Sequence, residues 1–132
     1  MSHEDAAAWV RRFLDALERF DAESVSAFLS DEVSHIEYPN ALLPKGLTRD
    51  KAAMLRSLHS GRKNLIRQTY HLGTVVANGD FIAFEAAWEG ELAQSVGGKA
   101  AGSVMKANFG VFLRLQNGKV TSWHNYDCFE PF

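Results

Sequence analysis

Two long apolar-rich segments on either side of Asn117-Gly118 constrain this fold more than any other sequence feature. The first begins at Ser103 and the second ends at Phe132. An Asn-Gly pair between such segments is the strongest short-range signal for a β-hairpin, because a tight primed turn needs positive φ at both residues. Strands of about a dozen residues are long. We therefore expect this hairpin to be the spine of a curved antiparallel sheet.

Size and charge favour a single domain and argue against two classes of partner. The 132 residues, 46% of them hydrophobic, fit a single domain over residues 1–132 with one core. A net charge of −2 with scattered basic residues argues against nucleic acid or an anionic membrane as partner. The apolar segments are too short to span a bilayer, and no charged-then-apolar leader opens the chain. We expect a cytoplasmic protein.

The cysteine and histidine content predicts neither a metal site nor a bound cofactor. Cys128 is the single cysteine and can form no internal disulfide. The five histidines show no HxxxH spacing.

Three helices are predicted in the first half of the chain. Ser2 is a cap for the first and Asp21 for a short second one, whose apolar side is Val25, Phe28 and Leu29. Thr48 is predicted to cap a third helix over residues 52–60 that stops at Gly61. The apolar stripe of the first helix consists of Trp9, Val10, Phe13, Leu14, Leu17 and Phe20.

The remaining elements read as strands. They cover residues 33–38, ending before Pro39, then 65–77 and 81–89, followed by the C-terminal hairpin. Helices followed by antiparallel strands are typical of the α+β class. A long, twisted four-stranded sheet can curl over the helices and leave a blind cone, in which a small ligand can bind.

The order of these elements, with EYPNALLPKGLTRD at residues 37–50 and WHNYDCFEPF at the end, resembles the nuclear transport factor 2-like superfamily over the whole chain. The closest resemblance is to small bacterial SnoaL-like and ketosteroid-isomerase-like proteins. It implies a cone-shaped α+β barrel. The superfamily contains isomerases, polyketide cyclases, epoxide hydrolases, dehydratases and non-catalytic binders, so the fold leaves the activity open.

Two reactions of the superfamily, ketosteroid isomerisation and epoxide hydrolysis, are disfavoured because this chain lacks their catalytic groups at the corresponding positions. Ketosteroid isomerases carry an oxyanion Tyr, a basic Asp and a second acid where this chain has Phe13, Tyr38 and Gly110. Limonene-epoxide-hydrolase-like members share Tyr38 and Asn40 as they stand. Their Arg and two Asp residues correspond here to Ala86, Trp88 and Asn125.

The same resemblance predicts which side chains face the cone, because side chains alternate along a strand. A slip by one residue, or a bulge, on the first strand would instead turn His35 and Glu37 inward as an acid-base pair. The predicted inward set is Ser34, Ile36, Tyr38, Phe84, Ala86, Trp88, Lys106, Asn108, Phe112, Trp123, Asn125 and Asp127.

Asp127 and Tyr38 are the candidate catalytic residues, as base and as hydrogen-bond donor. Desolvation is expected to raise the pKa of Asp127. The alternatives are an Asp127 solvated at the rim and a Tyr38 packed on the backbone. The candidate ligand-binding residues are Trp9, Phe13, Asn40, Phe84, Trp88, Asn108, Phe112, Trp123 and Asn125.

Two functions fit this pattern. The first is a cofactor-free cyclase, dehydratase or isomerase acting on a small, mostly apolar, oxygenated molecule. The second is a non-catalytic carrier with the same cone, which an absence of ionisable groups inside would favour.

A homodimer through the convex sheet face is also predicted. With position 110 inward, the opposite face of that strand carries an apolar stripe too large for a monomer surface. The stripe consists of Met105, Ala107, Phe109, Val111 and Leu113.

Overall fold

The hairpin at Asn117-Gly118 forms the centre of the fold. In the computed structural model, which describes all 132 residues, both turn residues have positive φ, 52° and 75°. The two strands that they join run antiparallel from the Gln116–Lys119 pair to the Ala107–Phe129 pair. The prediction of a long hairpin is confirmed.

Three helices pack on one mixed sheet of six strands, in the order β2-β1-β6-β5-β4-β3. Only the β1–β6 pair is parallel. This is the predicted α+β cone. Five of its six strands correspond to predicted ones, and the short β2 is additional. The elements are α1 His3–Glu18, α2 Ala22–Phe28, β1 Leu29–Glu37, β2 Leu47–Arg49, α3 Lys51–Asn64, β3 Leu65–Asn78, β4 Phe81–Leu92, β5 Val104–Gln116 and β6 Lys119–Phe129.

Side-chain caps fix the starts of the helices. Ser2 accepts a hydrogen bond from the Asp5 amide at 3.0 Å, and Asp21 accepts one from the Ser24 amide at 3.1 Å, as predicted. The cap of α3 was predicted wrongly. It is Asp50, which accepts from the Ala53 amide at 2.8 Å.

The third helix also differs from its prediction at both ends. Thr48 belongs to the short strand β2, and the helix continues through Gly61 to Asn64. A Cβ at Gly61 would lie 3.0 Å from the Phe20 ring. This glycine therefore serves the close packing of a ring against the helix and does not end it.

The inward face of β5 is opposite to the predicted one. The apolar stripe from Met105 to Leu113 is buried in the core, whereas Lys106, Asn108 and Phe112 are exposed. The stripe is the core side of the strand, because burying alternate apolar residues determines which face turns inward. The predicted dimer stripe is therefore not a surface.

The inward face of the first strand, β1, is also opposite to the predicted one. His35 is buried and Glu37 faces inward with it, while Tyr38 lies on the outer face. The structure therefore shows the alternative left open by the sequence, in which His35 and Glu37, and not Tyr38, face the cone. On β4 and β6 the predicted faces are confirmed, since Phe84, Ala86, Trp88, Trp123 and Asn125 are all buried.

Aromatic rings fill the narrow end of the cone. Phe13 packs on Trp9 at 5.3 Å, on Phe28 at 5.6 Å and on Trp123 at 5.0 Å between ring centroids. The helix stripe therefore closes this end as solid core, and the wide end stays open. None of the helices is long and apolar enough to cross a membrane.

Candidate functional site

A cavity of about 290 Å³ occupies the wide end of the cone. It lies between the inner face of the sheet and α3, and most of its lining is apolar. Apolar pockets with a few converging polar groups are the usual form of small-molecule sites. The polar and ionisable lining consists of His35, Glu37, Ser57, Asn64, Gln68, Tyr70, Asn125 and Asp127.

Two carboxyl groups meet in this cavity because of the parallel pairing of β1 and β6. Glu37 pairs with Asn125, and Asp127 follows two residues later on the same face. Arg49, brought in by β2, donates to Glu37 at 2.8 Å in a largely buried ion pair. The only guanidinium at the site is thus already engaged by Glu37.

The environment of Asp127 makes it a stronger base than an ordinary aspartate. Burial raises the pKa of Asp127 to about 6, and the nearby Glu37 carboxylate adds to this, whereas the hydrogen bond from Asn125 acts in the opposite direction. The predicted direction is confirmed. A carboxyl with this pKa remains mostly ionised at neutral pH and can accept a proton.

A hydrogen-bond chain runs from the floor of the cavity to this carboxylate. Asn125 Nδ2 donates to Asp127 Oδ1 at 3.0 Å, and its own Oδ1 lies 3.3 Å from His35 Nε2. Because the Asn125 oxygen can only accept, His35 Nε2 carries the proton. Burial lowers the pKa of His35 to about 4, so the imidazole is neutral at neutral pH.

The opposite wall supplies a tyrosine that the sequence did not single out. Tyr70 lies on β3 opposite Trp88. Burial, with the Asp127 and Glu37 charges, raises the pKa of Tyr70, which keeps its hydroxyl neutral and able to donate. Next to it, Gln68 accepts from the Trp88 indole at 3.0 Å and donates to the Leu17 carbonyl at 2.6 Å.

The predicted site residues divide into three groups. Trp88, Trp123, Asn125 and Asp127 line the cavity together. Trp9, Phe13 and Phe84 are buried but do not line it. Tyr38, Asn40, Asn108 and Phe112 lie outside it.

Tyr38 and Asn40 have other partners. The Tyr38 hydroxyl lies 3.2 Å from His124 Nδ1, and its ring stacks on Tyr126 at 4.5 Å. The Asn40 side chain bonds the backbone of its own loop, at the Tyr38 carbonyl and the Leu42 and Leu43 amides. Neither side chain is placed to touch a ligand in the cavity.

No group of three or more His, Cys, Asp or Glu side chains is arranged to hold a metal ion. The site as described consists of carboxyl, hydroxyl, amide, imidazole and aromatic groups.

Sequence comparison places residues 10–123 in a match to a family described as the SnoaL-like domain. A comparison with curated protein sequences finds no significant match.

Solved structures with the same fold are numerous. AclR, a suggested hydroxylase from Streptomyces galilaeus, superposes with a TM-score of 0.79 at 17% identity, over 98% of this chain and 83% of its own. A suggested polyketide cyclase from Xanthomonas campestris pv. campestris gives 0.76 at 23% identity, over 94% and 90%. An NTF2-like protein of unknown function from Burkholderia pseudomallei gives 0.75 at 17%, over 98% and 92%. At these identities the likeness is one of fold.

Proposed function

Because the chain belongs to the SnoaL-like domain family, we propose that its cavity binds a small, mostly apolar, oxygenated molecule and that Asp127 performs cofactor-free acid-base chemistry on it. The reaction would be of the cyclase, dehydratase or isomerase type. The observation that carries the proposal is a carboxyl group of raised pKa in a mostly apolar cavity of small-molecule size.

The first chemical step would be removal of a proton from a carbon next to a carbonyl group. Asp127 accepts the proton, and the carbonyl oxygen gains negative charge as the enolate forms. The neutral Tyr70 hydroxyl is the donor proposed to stabilise that oxygen, in place of Tyr38, which lies on the other face of the sheet. The amide of Asn125 holds the Asp127 carboxyl in place, and the Arg49–Glu37 ion pair fixes the neighbouring carboxyl.

The carrier alternative is less well supported. It was favoured by a cone without ionisable groups, whereas Glu37 and Asp127 both line this cavity. A polyketide cyclase is suggested for the Xanthomonas campestris structure of the same fold, and an enolate is the type of intermediate that a cyclisation by carbon–carbon bond formation requires.

Mass spectrometry of molecules that co-purify with the protein tests the proposal without assuming a substrate. We expect a small oxygenated compound with the wild type and with Asp127→Asn, accumulating unconverted on the variant. A compound that never changes when incubated with the wild-type protein would support the carrier instead. Failure of any small molecule to bind would reject both functions.

We also retain the proposal of a cytoplasmic homodimer through the outer sheet face, now carried by different residues. Tyr38, Tyr126, Phe112 and Phe81 form a continuous row of rings across four strands, with neighbouring centroids 4.5, 5.6 and 6.1 Å apart. Tyr126 is 47% and Phe112 41% exposed. A second copy related by a two-fold axis would cover this aromatic row.

Light scattering at micromolar concentration is expected to give a dimer mass for the wild type and a monomer mass for Phe112→Asp. A charge placed at the centre of the row cannot be buried without a partner. Ile66→Asp is the control, since Ile66 is 61% exposed and lies outside the row. A wild-type monomer, or equal dissociation by both variants, would reject the interface.

A further inference from the structure

The floor of the cavity holds two buried polar atoms for which the protein provides no partner. They are Trp123 Nε1 and His35 Nδ1. Both side chains line the cavity, are 4% and 3% exposed, and have ring centroids 4.1 Å apart. Unpaired buried polar groups are rare in native proteins because each has lost its hydrogen bonds to water. Two of them on neighbouring rings at the cavity floor indicate a ligand group that would pair with them.

A second indole in the cavity, that of Trp88 on β4, provides the contrast. Trp88 also lines the cavity, but its indole nitrogen donates to Gln68 at 3.0 Å. The fold can therefore satisfy an indole in this cavity, and it does not do so at Trp123.

The two atoms differ in what they offer. An indole N–H is a donor only. His35 is neutral and carries its proton on Nε2, which faces Asn125 Oδ1, so its Nδ1 presents a lone pair and is an acceptor. A complementary ligand group must both accept and donate a hydrogen bond.

The charge of the site restricts the ligand further. Glu37 and Asp127 lie on the same inner face of the adjacent strands, and Arg49 is already paired with Glu37. An anionic head group would meet these carboxyls without a free cation. An ammonium group could not accept the Trp123 hydrogen bond.

We propose that the cavity floor is a subsite for the hydroxyl group of a neutral ligand, an alcohol, phenol or enol, that accepts from Trp123 Nε1 and donates to His35 Nδ1. The rings must turn slightly to expose the two atoms, since both are covered in the free protein. This subsite rests on the proposed function, because it requires the cavity to take up a small molecule.

Phenol and toluene are a matched pair of probes, equal in size and differing by a hydroxyl in place of a methyl group. Calorimetry or NMR titration gives the ratio of their affinities. We expect Trp123→Phe to lower the preference for phenol about tenfold, equivalent to about 1.4 kcal/mol. Trp9→Phe, which removes an indole that does not line the cavity, should leave the ratio unchanged.

A measurement on the unmodified protein covers the case in which Trp123→Phe does not fold. The indole N–H resonance of Trp123 should move downfield on addition of phenol and much less with toluene, and that of Trp88 should respond alike to both.

The outcomes are separable. A phenol-to-toluene ratio that Trp123→Phe leaves unchanged, an indole resonance indifferent to the hydroxyl, or tighter binding of benzoate or benzylammonium than of phenol overturns the subsite alone. If no probe binds at any attainable concentration, the proposed ligand cavity fails, and the subsite fails with it.

Discussion

Asp127→Asn is expected to lower turnover by about two to four orders of magnitude and to stabilise the folded protein at neutral pH. Loss of a general base lowers the rate by about 10²–10⁴-fold. The amide keeps the shape of the carboxyl and can accept the hydrogen bond from Asn125 while donating towards Glu37. Fold and ligand affinity should therefore be preserved.

The stability change follows from the raised pKa of Asp127, about 6 against an ordinary 3.8. The folded state holds this proton more tightly than the unfolded chain. The stability that protonation contributes is complete below about pH 4 and is lost as the pH rises through 6. At pH 7 the variant is spared the burial of a charge, which we put at about 3 kcal/mol in the free energy of unfolding.

His35 has the opposite pH dependence. Its pKa in the folded protein is about 4 against an ordinary 6.5. The stability that the neutral imidazole contributes is therefore complete above about pH 6.5 and is lost as the pH falls towards 4. In the wild type the effects of Asp127 and His35 on the free energy of unfolding have opposite signs between pH 4 and 6. Asp127→Asn removes one of them, so the variant should lose stability on acidification over this range more steeply than the wild type does.

Urea denaturation at pH 4, 5.5 and 7 measures both effects. Asp15→Asn, at an exposed position on α1, is the control and should follow the wild type at every pH. A variant at residue 127 that is less stable than wild type at pH 7 would show that the carboxylate is paired or solvated. The role of base would then pass to another group.

The elements of the fold could be predicted from local signals. The Asn117-Gly118 turn, the caps at Ser2 and Asp21 and the order of helices and strands each follow from residues close together in the chain. The strand faces on β4 and β6 were also predicted correctly, and with them Trp88, Trp123, Asn125 and Asp127 in the cavity.

The errors lie on β1 and β5, where the alignment is displaced by one residue, whereas the same alignment gives the correct faces on β4 and β6. Position 110 was assigned inward by resemblance, although the alternation from Met105 to Leu113 makes the other face the apolar one. The same one-residue displacement put Tyr38 into the cavity in place of Glu37. Ketosteroid isomerases have their basic Asp at the position of Tyr38. In this chain the carboxylate at the end of the first strand is Glu37, one residue earlier.

Tyr70 was missed for a different reason. Counting back from the Gly79-Asp80 turn places His71 opposite Trp88. The pairing shifts between Leu72 and Val75, so Tyr70 takes that position and faces the cavity. A bulge of this kind changes the face of every residue beyond it. Gly73, whose added Cβ would lie 3.2 Å from the Glu85 carbonyl oxygen, marks its place, and a glycine within a predicted strand is the one signal that could have indicated it.

Phe13→Ala is expected to cause the largest loss of stability of any single change considered. The side chain is fully buried and packs against Trp9, Phe28 and Trp123 at the narrow end of the cone. Replacing a buried Phe by Ala costs about 3–5 kcal/mol, because the apolar surface is lost and the surroundings close the space only in part. Denaturant unfolding gives the difference directly.

The same variant separates a core role for Phe13 from the ligand-binding role predicted from the sequence. Phe132→Ala is the control, since Phe132 is also a phenylalanine but is 45% exposed, and it should change the free energy of unfolding by less than about 1 kcal/mol. If Phe13 touched the ligand instead, its removal would weaken binding while leaving stability near that of the control. Because Phe13 closes the narrow end beneath Trp123 and does not line the cavity, we expect the reverse, a large loss of stability under conditions where the folded fraction still binds phenol.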